Sequence, residues 1–115
     1  MSLATLPLTW NEFITHSTEN PTKLLVIKCG ATWCAPCKEI APFITYLAEN
    51  YPSVAFYDLN IEDEERESIV LNMPIVKVPT VVFIKNGKIL HSIIYSPSKR
   101  ENDKTEIENF IVDNL

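Results

Sequence analysis

The sequence predicts an α/β fold, in which a β-sheet is covered by helices. Apolar runs of strand length alternate with segments whose apolar residues recur at helical spacing. The last two apolar runs are joined by Asn86-Gly87, a pair typical of a tight hairpin turn. The chain has 115 residues, 46% of them hydrophobic, which suits one domain with a substantial core. We therefore expect residues 1–115 to fold as a single domain.

The first third of the chain predicts a helix between two strands. Residues 3–6 fit a short edge strand, and Thr9 is a suitable N-cap for the helix that follows. This helix should end near Asn20-Pro21, because the residue before a proline disfavours helical geometry. Residues 24–29 form an apolar run with one charge, Lys28, and predict a central strand covered on both faces.

Two cysteines mark the junction between that strand and the next helix. They belong to the segment Trp33-Cys34-Ala35-Pro36-Cys37. Cys34 falls at the helix N-terminus, where free N–H groups and the helix dipole stabilise a thiolate. Pro36 suits the first helical turn, because its missing N–H would have had no partner there. Cys37 lies one turn further on, near enough to Cys34 to close a short disulfide loop.

The middle of the chain predicts a helix, a strand and a second helix. The first helix should extend to Asn50 with a kink at Pro42. Residues 54–60 form a buried strand whose one charge is Asp58, and a right-handed crossover makes it the parallel neighbour of the first strand. The acidic residues 62–65 then open a helix, where they complement its dipole. We prefer this interpretation to an acidic docking patch.

The C-terminal third predicts the hairpin and one more helix. Residues 80–84 and 88–94 are the two strands of the hairpin. A polar loop over residues 96–102 follows, and Asp103 is a candidate N-cap for the final helix.

The ordered set of motifs resembles the thioredoxin family. That family has a strand, a W-C-x-P-C motif, a helix with an internal proline, a strand, a helix, a proline-threonine pair opening a hairpin, and a last helix. A lone C-x-x-C is a weak signal, whereas the whole ordered set is specific. The resemblance implies a thioredoxin fold, with a central mixed β-sheet of four to five strands flanked by helices on both faces. The matching pieces are Trp33 to Cys37, Pro42, Leu59-Asn60-Ile61, Val78-Pro79-Thr80 and Lys85-Asn86-Gly87.

The resemblance also implies a thiol–disulfide oxidoreductase that reduces protein disulfides. Cys34 would attack the substrate disulfide, and Cys37 would then displace the reduced substrate and close the Cys34–Cys37 bond. The Val78-Pro79 peptide bond is expected to be cis and to face the cysteines. The groove that receives the substrate would be formed by Trp33, Ala35, Pro36, Val78 and Pro79.

Two charged residues depart from the family pattern. Thioredoxins commonly hold a buried aspartate six residues before the first cysteine, and this chain has Lys28 there. The family often has a lysine on the neighbouring strand, where this chain has Asp58. Each is the only charge in its apolar run, and an unpaired buried charge is costly. We therefore predict that Lys28 and Asp58 form a pair with a catalytic role. The alternative is two unrelated, solvated residues at strand ends.

Three further positions differ from the family near the groove. Lys77 and Tyr95 fall where small glycines are common, so we expect bulk and charge there to narrow the substrate range. Gly30 lies three residues before Trp33, where many thioredoxins carry a tryptophan, and should widen the space beside the active site.

The cysteines permit a metal-binding interpretation, which we do not favour. Zinc needs four ligands, and Cys29, His16 and His91 have no spacing that would make them converge on the pair. We predict no metal and no cofactor. Cys29 could be a redox sensor, but a buried free cysteine usually packs as a small hydrophobe.

Charge and composition limit the partners and the compartment. A net charge of −5 argues against nucleic acid or an anionic membrane. No apolar run approaches the roughly 20 residues of a membrane span, and residues 1–7 lack the features of a secretory signal. Three cysteines, an odd number with two in C-x-x-C, favour a reducing compartment. We expect a cytoplasmic monomer recharged by a thioredoxin-reductase-type electron donor.

Two other functions remain open at this point. The same chemistry could serve a disulfide oxidant or isomerase, because Ala35 replaces the usual glycine between the cysteines. A binding module with vestigial redox activity is the second alternative. The changed groove residues favour it, and the intact Cys34 and Cys37 count against it.

Overall fold

Four strands and four α-helices make up the fold in the computed structural model, which describes residues 3–115. Met1 and Ser2, part of the N-terminal segment considered above, lie outside the described residues. None of the helices in the described range has the length and apolar character needed to cross a membrane. In chain order the elements are α1 (Trp10–Glu19), β1 (Leu25–Gly30), α2 (Ala35–Asn50), β2 (Ala55–Asn60), α3 (Glu67–Leu71), β3 (Thr80–Lys85), β4 (Lys88–Ile94) and α4 (Arg100–Asp113).

The strands form one mixed sheet in the order β2-β1-β3-β4. β1 pairs in parallel with β2 and antiparallel with β3, and β4 pairs antiparallel with β3. This arrangement confirms the predicted crossover and hairpin. The possible fifth strand is reduced to a single bridge between Ala4 and Tyr57, so the sheet of residues 3–115 has four strands.

β1 is the centre of the fold because all six of its residues are buried. Alternate side chains of a strand point to opposite faces of the sheet. Val26 packs in a core with α2 and α4, whereas Leu25 and Ile27 pack in a second core with α1 and α3. The prediction of helices on both faces is confirmed.

The predicted ends of α1 and the predicted position of Pro42 inside α2 are also confirmed. Thr9 is the N-cap of α1 and accepts a hydrogen bond from the Glu12 N–H at 3.1 Å. The helix ends before Asn20. Pro42 lies inside α2, as expected.

Asp103 is not the N-cap of the last helix. A 3-10 turn over Pro97–Lys99 leads directly into α4, which therefore begins at Arg100. Asp103 lies one turn inside the helix and is buried, and its carboxylate accepts the Ser96 N–H at 2.8 Å. The side chain thus fixes the loop before the helix.

The region after β2 also differs from the prediction, because Asp63 caps a 3-10 turn over Glu64–Arg66 before the short α3.

The hairpin turn has the conformation that its sequence predicts. Asn86 and Gly87 both have positive φ, at 50° and 74°, as a two-residue turn between twisted strands requires. A hydrogen bond of 2.8 Å from the Gly87 N–H to the Ser17 hydroxyl fixes the turn against α1.

Candidate active site

Cys34 and Cys37 form a disulfide at the start of α2, with their Cα atoms 5.3 Å apart. Cys34 is the N-cap of the helix and has extended backbone geometry. Its sulfur accepts a hydrogen bond from the Cys37 N–H at 3.2 Å. The N-terminal end of a helix carries partial positive charge and unpaired N–H groups. The geometry therefore favours negative charge on the Cys34 sulfur when the disulfide is reduced.

Trp33 stands out from the surface immediately before this disulfide. Its side chain is 65% exposed, although tryptophan is usually well buried. The indole N–H donates to the Glu62 carboxylate at 3.0 Å, which fixes the orientation of the ring. Ala35 is also exposed, and Pro36 is half-buried. The surface around Cys34 is thus largely apolar.

A groove of about 460 Å³ runs from Trp33 to the loop before β3. Lys77 and Val78 line it, so the structure brings these two predicted residues beside Trp33. Ile61, Ile75 and Val76 also line the groove, and the sequence reasoning did not include them as site residues. Ile61 and Ile75 also pack partly against the core with α1 and α3, so only the exposed Val76 carried a signal in the sequence, as an apolar residue in a loop.

Pro79 follows the groove at the start of β3. The Val78-Pro79 peptide bond is cis, as expected. Pro79 is itself buried, and its carbonyl accepts the Tyr95 N–H at 3.1 Å. The Thr80 hydroxyl donates back to the Lys77 carbonyl. These bonds give the loop over residues 77–80 a defined conformation.

The prediction that the Tyr95 side chain adds bulk at the groove, and so narrows the substrate range, is wrong. Its side chain is 2% exposed and packs in the core with α2 and α4. It points inward because its hydroxyl donates to the Glu39 carboxylate on α2. Burial raises the pKa of Tyr95, and the hydrogen bond to Glu39 raises it further. The main chain of Tyr95 contacts the Pro79 loop, and its side chain does not line the groove.

Lys28 and Asp58 form the expected pair. They are register partners on the parallel strands β1 and β2, and the Lys28 Nζ lies 3.3 Å from the Asp58 Oδ1. Lys28 is 9% exposed, whereas the Asp58 side chain is 57% exposed. The cation is therefore the inner member of the pair and the carboxylate is the outer one. The alternative of two unrelated residues is excluded.

A cavity of about 190 Å³ connects this pair with the disulfide, because Lys28, Asp58, Gly30 and Cys37 all line it. A Cβ atom on Gly30 would lie 3.0 Å from the Cys37 sulfur and 3.6 Å from the Lys28 Cε. Gly30 therefore leaves open the space between the lysine side chain and the inner cysteine, in line with the expectation from its sequence position.

Cys29 has its own environment on the opposite face of β1 from Lys28. It is buried, forms no disulfide, and packs in the core with α1 and α3. Burial raises the pKa of its thiol to about 12, and the negative charge of Asp58 contributes to the rise. Cys29 therefore stays protonated and unreactive near neutral pH, as the packing interpretation predicts.

Comparison with known proteins gives a consistent result. The family model described as thioredoxin matches residues 4–113. Thioredoxin H1 of Arabidopsis thaliana is 40% identical over 86 residues, which are 75% of this chain and 73% of that protein. A thioredoxin-like protein of Acanthamoeba polyphaga mimivirus is 42% identical over 83 residues, 72% of this chain but only 61% of the viral protein. Among solved structures, oxidised mitochondrial thioredoxin 3 from Saccharomyces cerevisiae superposes with a TM-score of 0.76 at 31% identity, covering 96% of this chain and 94% of that chain.

Proposed function

The chain belongs to the thioredoxin family of thiol–disulfide oxidoreductases, and we propose that it reduces disulfides in other proteins through Cys34 and Cys37. The observation that carries the proposal is the placement of the disulfide. It lies at the N-terminus of α2, directly beside an exposed apolar groove. A protein segment bound in that groove would present its own disulfide to Cys34. We propose that residues 1–115 carry out this reaction as one domain.

The first step is attack by Cys34. In the reduced protein the Cys37 N–H and the helix dipole stabilise the Cys34 thiolate. This thiolate attacks one sulfur of the substrate disulfide, a mixed disulfide forms, and the other substrate sulfur leaves as a thiolate. The exposed residues Trp33 and Ala35 allow a protein substrate to approach on this side.

The second step is attack by Cys37 on the Cys34 sulfur of the mixed disulfide. Cys37 must first lose its proton, and Asp58 can accept it through water in the cavity that both residues line. The ammonium group of Lys28 favours negative charge on Cys37 by the opposite-charge effect. The Cys34–Cys37 bond forms and the substrate leaves as a thiol. Because both cysteines belong to the same chain, attack by Cys37 is intramolecular and is faster than attack by thiols of other molecules.

The groove binds the substrate on both sides of its cysteine. Trp33 and Val76 are exposed apolar side chains that an extended segment can cover, and Val78-Pro79 provides main chain beside it. Lys77 adds a positive charge at the rim of the groove and so favours substrates with an acidic residue next to the contact.

A reductase must return the disulfide to the dithiol after each turnover. One structural neighbour, thioredoxin f2, was solved in a complex with ferredoxin:thioredoxin reductase. We propose a thioredoxin-reductase-type electron donor for this chain, which would act as a monomer in the cytoplasm.

One of the two changed residues that favoured the binding-module alternative does not lie at the groove. The sequence placed both Lys77 and Tyr95 at the groove, where they would narrow the substrate range, but the Tyr95 side chain is in the core. Lys77 remains at the groove. The oxidant or isomerase alternative shares the site geometry and differs in the reduction potential of the cysteine pair.

Reduction of insulin disulfides by dithiothreitol tests the proposal. The chain at micromolar concentration should accelerate the reaction well above the uncatalysed rate, and Cys34→Ser should remove the acceleration. Cys29→Ala is the matched cysteine control and should remain active, because Cys29 faces the opposite core. A parent protein no faster than the uncatalysed reaction would favour the binding module.

A further inference from the structure

Tyr95 contacts both the loop that borders the groove and the helix that carries the two cysteines. Its main-chain N–H donates to the Pro79 carbonyl at 3.1 Å, on the loop that borders the groove. Its hydroxyl donates to the carboxylate of Glu39, which lies two residues after Cys37 in the first turns of α2. The two hydrogen bonds leave from opposite ends of one residue. We propose that Tyr95 is a positioning residue, which fixes the Pro79 loop relative to the helix that carries both cysteines.

The rigidity of Tyr95 supports this assignment. Its ring is enclosed by the core with α2 and α4, and it is among the largest fully buried side chains of the described chain. A packed tyrosine ring has few accessible rotamers. The distance between its amide and its hydroxyl is therefore nearly constant, and so is the separation of the two segments that it joins.

Glu39 receives a second bond that holds the acceptor in place. The Arg100 guanidinium, at the start of α4, donates to its other carboxylate oxygen at 2.9 Å. The carboxylate is thus fixed on both sides, and charge-assisted hydrogen bonds are stronger than neutral ones. The three side chains Glu39, Tyr95 and Arg100 form one network, which we call the Tyr95 network. It joins α2, the segment after β4 and α4.

The inference rests on the proposed function, because it assumes that a protein substrate is held by the Pro79 loop while Cys34 attacks. A small disulfide needs only Cys34, whereas a protein disulfide must be aligned by the loop as well. Loosening the loop relative to α2 should therefore slow protein disulfides selectively. A merely structural role would instead lower stability and affect both substrates equally.

The chain contains a matched control at the other end of α2. The Tyr51 hydroxyl donates to Glu108 on α4 at 2.6 Å, so it makes the same type of bond, from a tyrosine hydroxyl to a glutamate carboxylate. Tyr51 is the C-cap of α2 and lies away from the cysteines. Tyr51→Phe and Tyr95→Phe each remove one hydroxyl and keep the ring.

The experiment measures the second-order rate constants with which the reduced variants reduce insulin and a small disulfide, bis(2-hydroxyethyl) disulfide. Tyr95→Phe should lower the ratio of the insulin rate to the small-disulfide rate by about fivefold, because the Pro79 loop is then held less firmly relative to α2. Glu39→Ala should do the same, Glu39→Gln should restore most of the ratio because it keeps an acceptor, and Tyr51→Phe should leave it unchanged. The double variant Tyr95→Phe/Glu39→Ala should be no worse than either single variant.

Hydrogen exchange of the amide of residue 95 provides a reading that does not depend on activity. This amide is bonded to Pro79, so it should exchange faster in Tyr95→Phe and Glu39→Ala than in Tyr51→Phe. Unchanged exchange and an unchanged rate ratio in Tyr95→Phe would overturn the inference. A parent protein that reduces neither disulfide would overturn the proposed function instead, and faster exchange at residue 95 would still support the Tyr95 network.

Discussion

Replacing Cys37 by serine is expected to stop turnover and to leave the protein covalently attached to its substrate. Cys34 keeps its place at the N-terminus of α2 and can still form the mixed disulfide. No second thiol lies within reach of that bond, because Cys29 faces the opposite core and stays protonated. Insulin reduction should fall by about three orders of magnitude. Denaturing gel electrophoresis without reductant should show a conjugate that dithiothreitol removes.

Cys34→Ser tests the assignment of roles. It should be equally inactive in insulin reduction, but it should form no conjugate, because Cys37 lies inside α2 and lacks the N-cap position that stabilises a thiolate at Cys34. Alkylation of the reduced parent near pH 7 should likewise modify Cys34 first. Conjugates that form with Cys34→Ser and not with Cys37→Ser would reverse the two roles.

The second large effect concerns the proton that Cys37 loses. Asp58→Asn should slow the resolution of the mixed disulfide by about tenfold and leave the initial attack by Cys34 nearly unchanged, because a positioned base is lost only from the second step. Asparagine still accepts a hydrogen bond from Lys28, so the buried ammonium keeps a partner. The deficit should shrink as the pH rises, because more of the Cys37 thiol ionises without a base. Stopped-flow mixing with a disulfide substrate across pH separates the two steps.

Lys28→Met tests the other member of the pair. Without the cation, the cysteine thiols should ionise about one pH unit higher, which thiolate absorbance at 240 nm reports. Methionine keeps most of the side-chain volume, and the freed Asp58 is exposed to water. Glu101→Gln is the matched control for Asp58→Asn, because it also removes one exposed carboxylate near a lysine, 4.0 Å from Lys104 on α4. If Lys28→Met and Asp58→Asn both resolve the mixed disulfide and ionise their thiols like the parent protein, the contact between Lys28 and Asp58 has only a structural role.

Local sequence signals account for most of the fold. The hairpin at Asn86-Gly87, the cap at Thr9 and the buried run of β1 each had one clear physical cause, and each is present. The contact between Lys28 and Asp58 could also be predicted. Each residue is the only charge in its apolar strand, and the two strands are adjacent and parallel. Pairing is then the simplest way to avoid a buried charge without a partner.

Tertiary packing explains what the sequence did not predict. Tyr95 was placed in the groove because of its position in the chain, but its direction depends on a hydrogen-bond acceptor, Glu39, 56 residues away. Asp103 resembled a helix cap by residue type, yet the preceding 3-10 turn had already begun the helix. Ile61 and Val76 belong to the groove only because two separate loops meet there. Such contacts depend on distant partners and leave no local periodicity.

The reduction potential of the Cys34–Cys37 pair is the most direct test of the central claim that the chain is a reductant of protein disulfides. It can be measured by equilibrating the protein with defined ratios of reduced and oxidised glutathione or dithiothreitol, followed by alkylation and mass determination. A reductase should have a potential between about −230 and −290 mV, near the value typical of thioredoxin and below that of disulfide isomerases. A potential more positive than about −190 mV would contradict the account, because the pair would then donate disulfides to proteins instead of removing them.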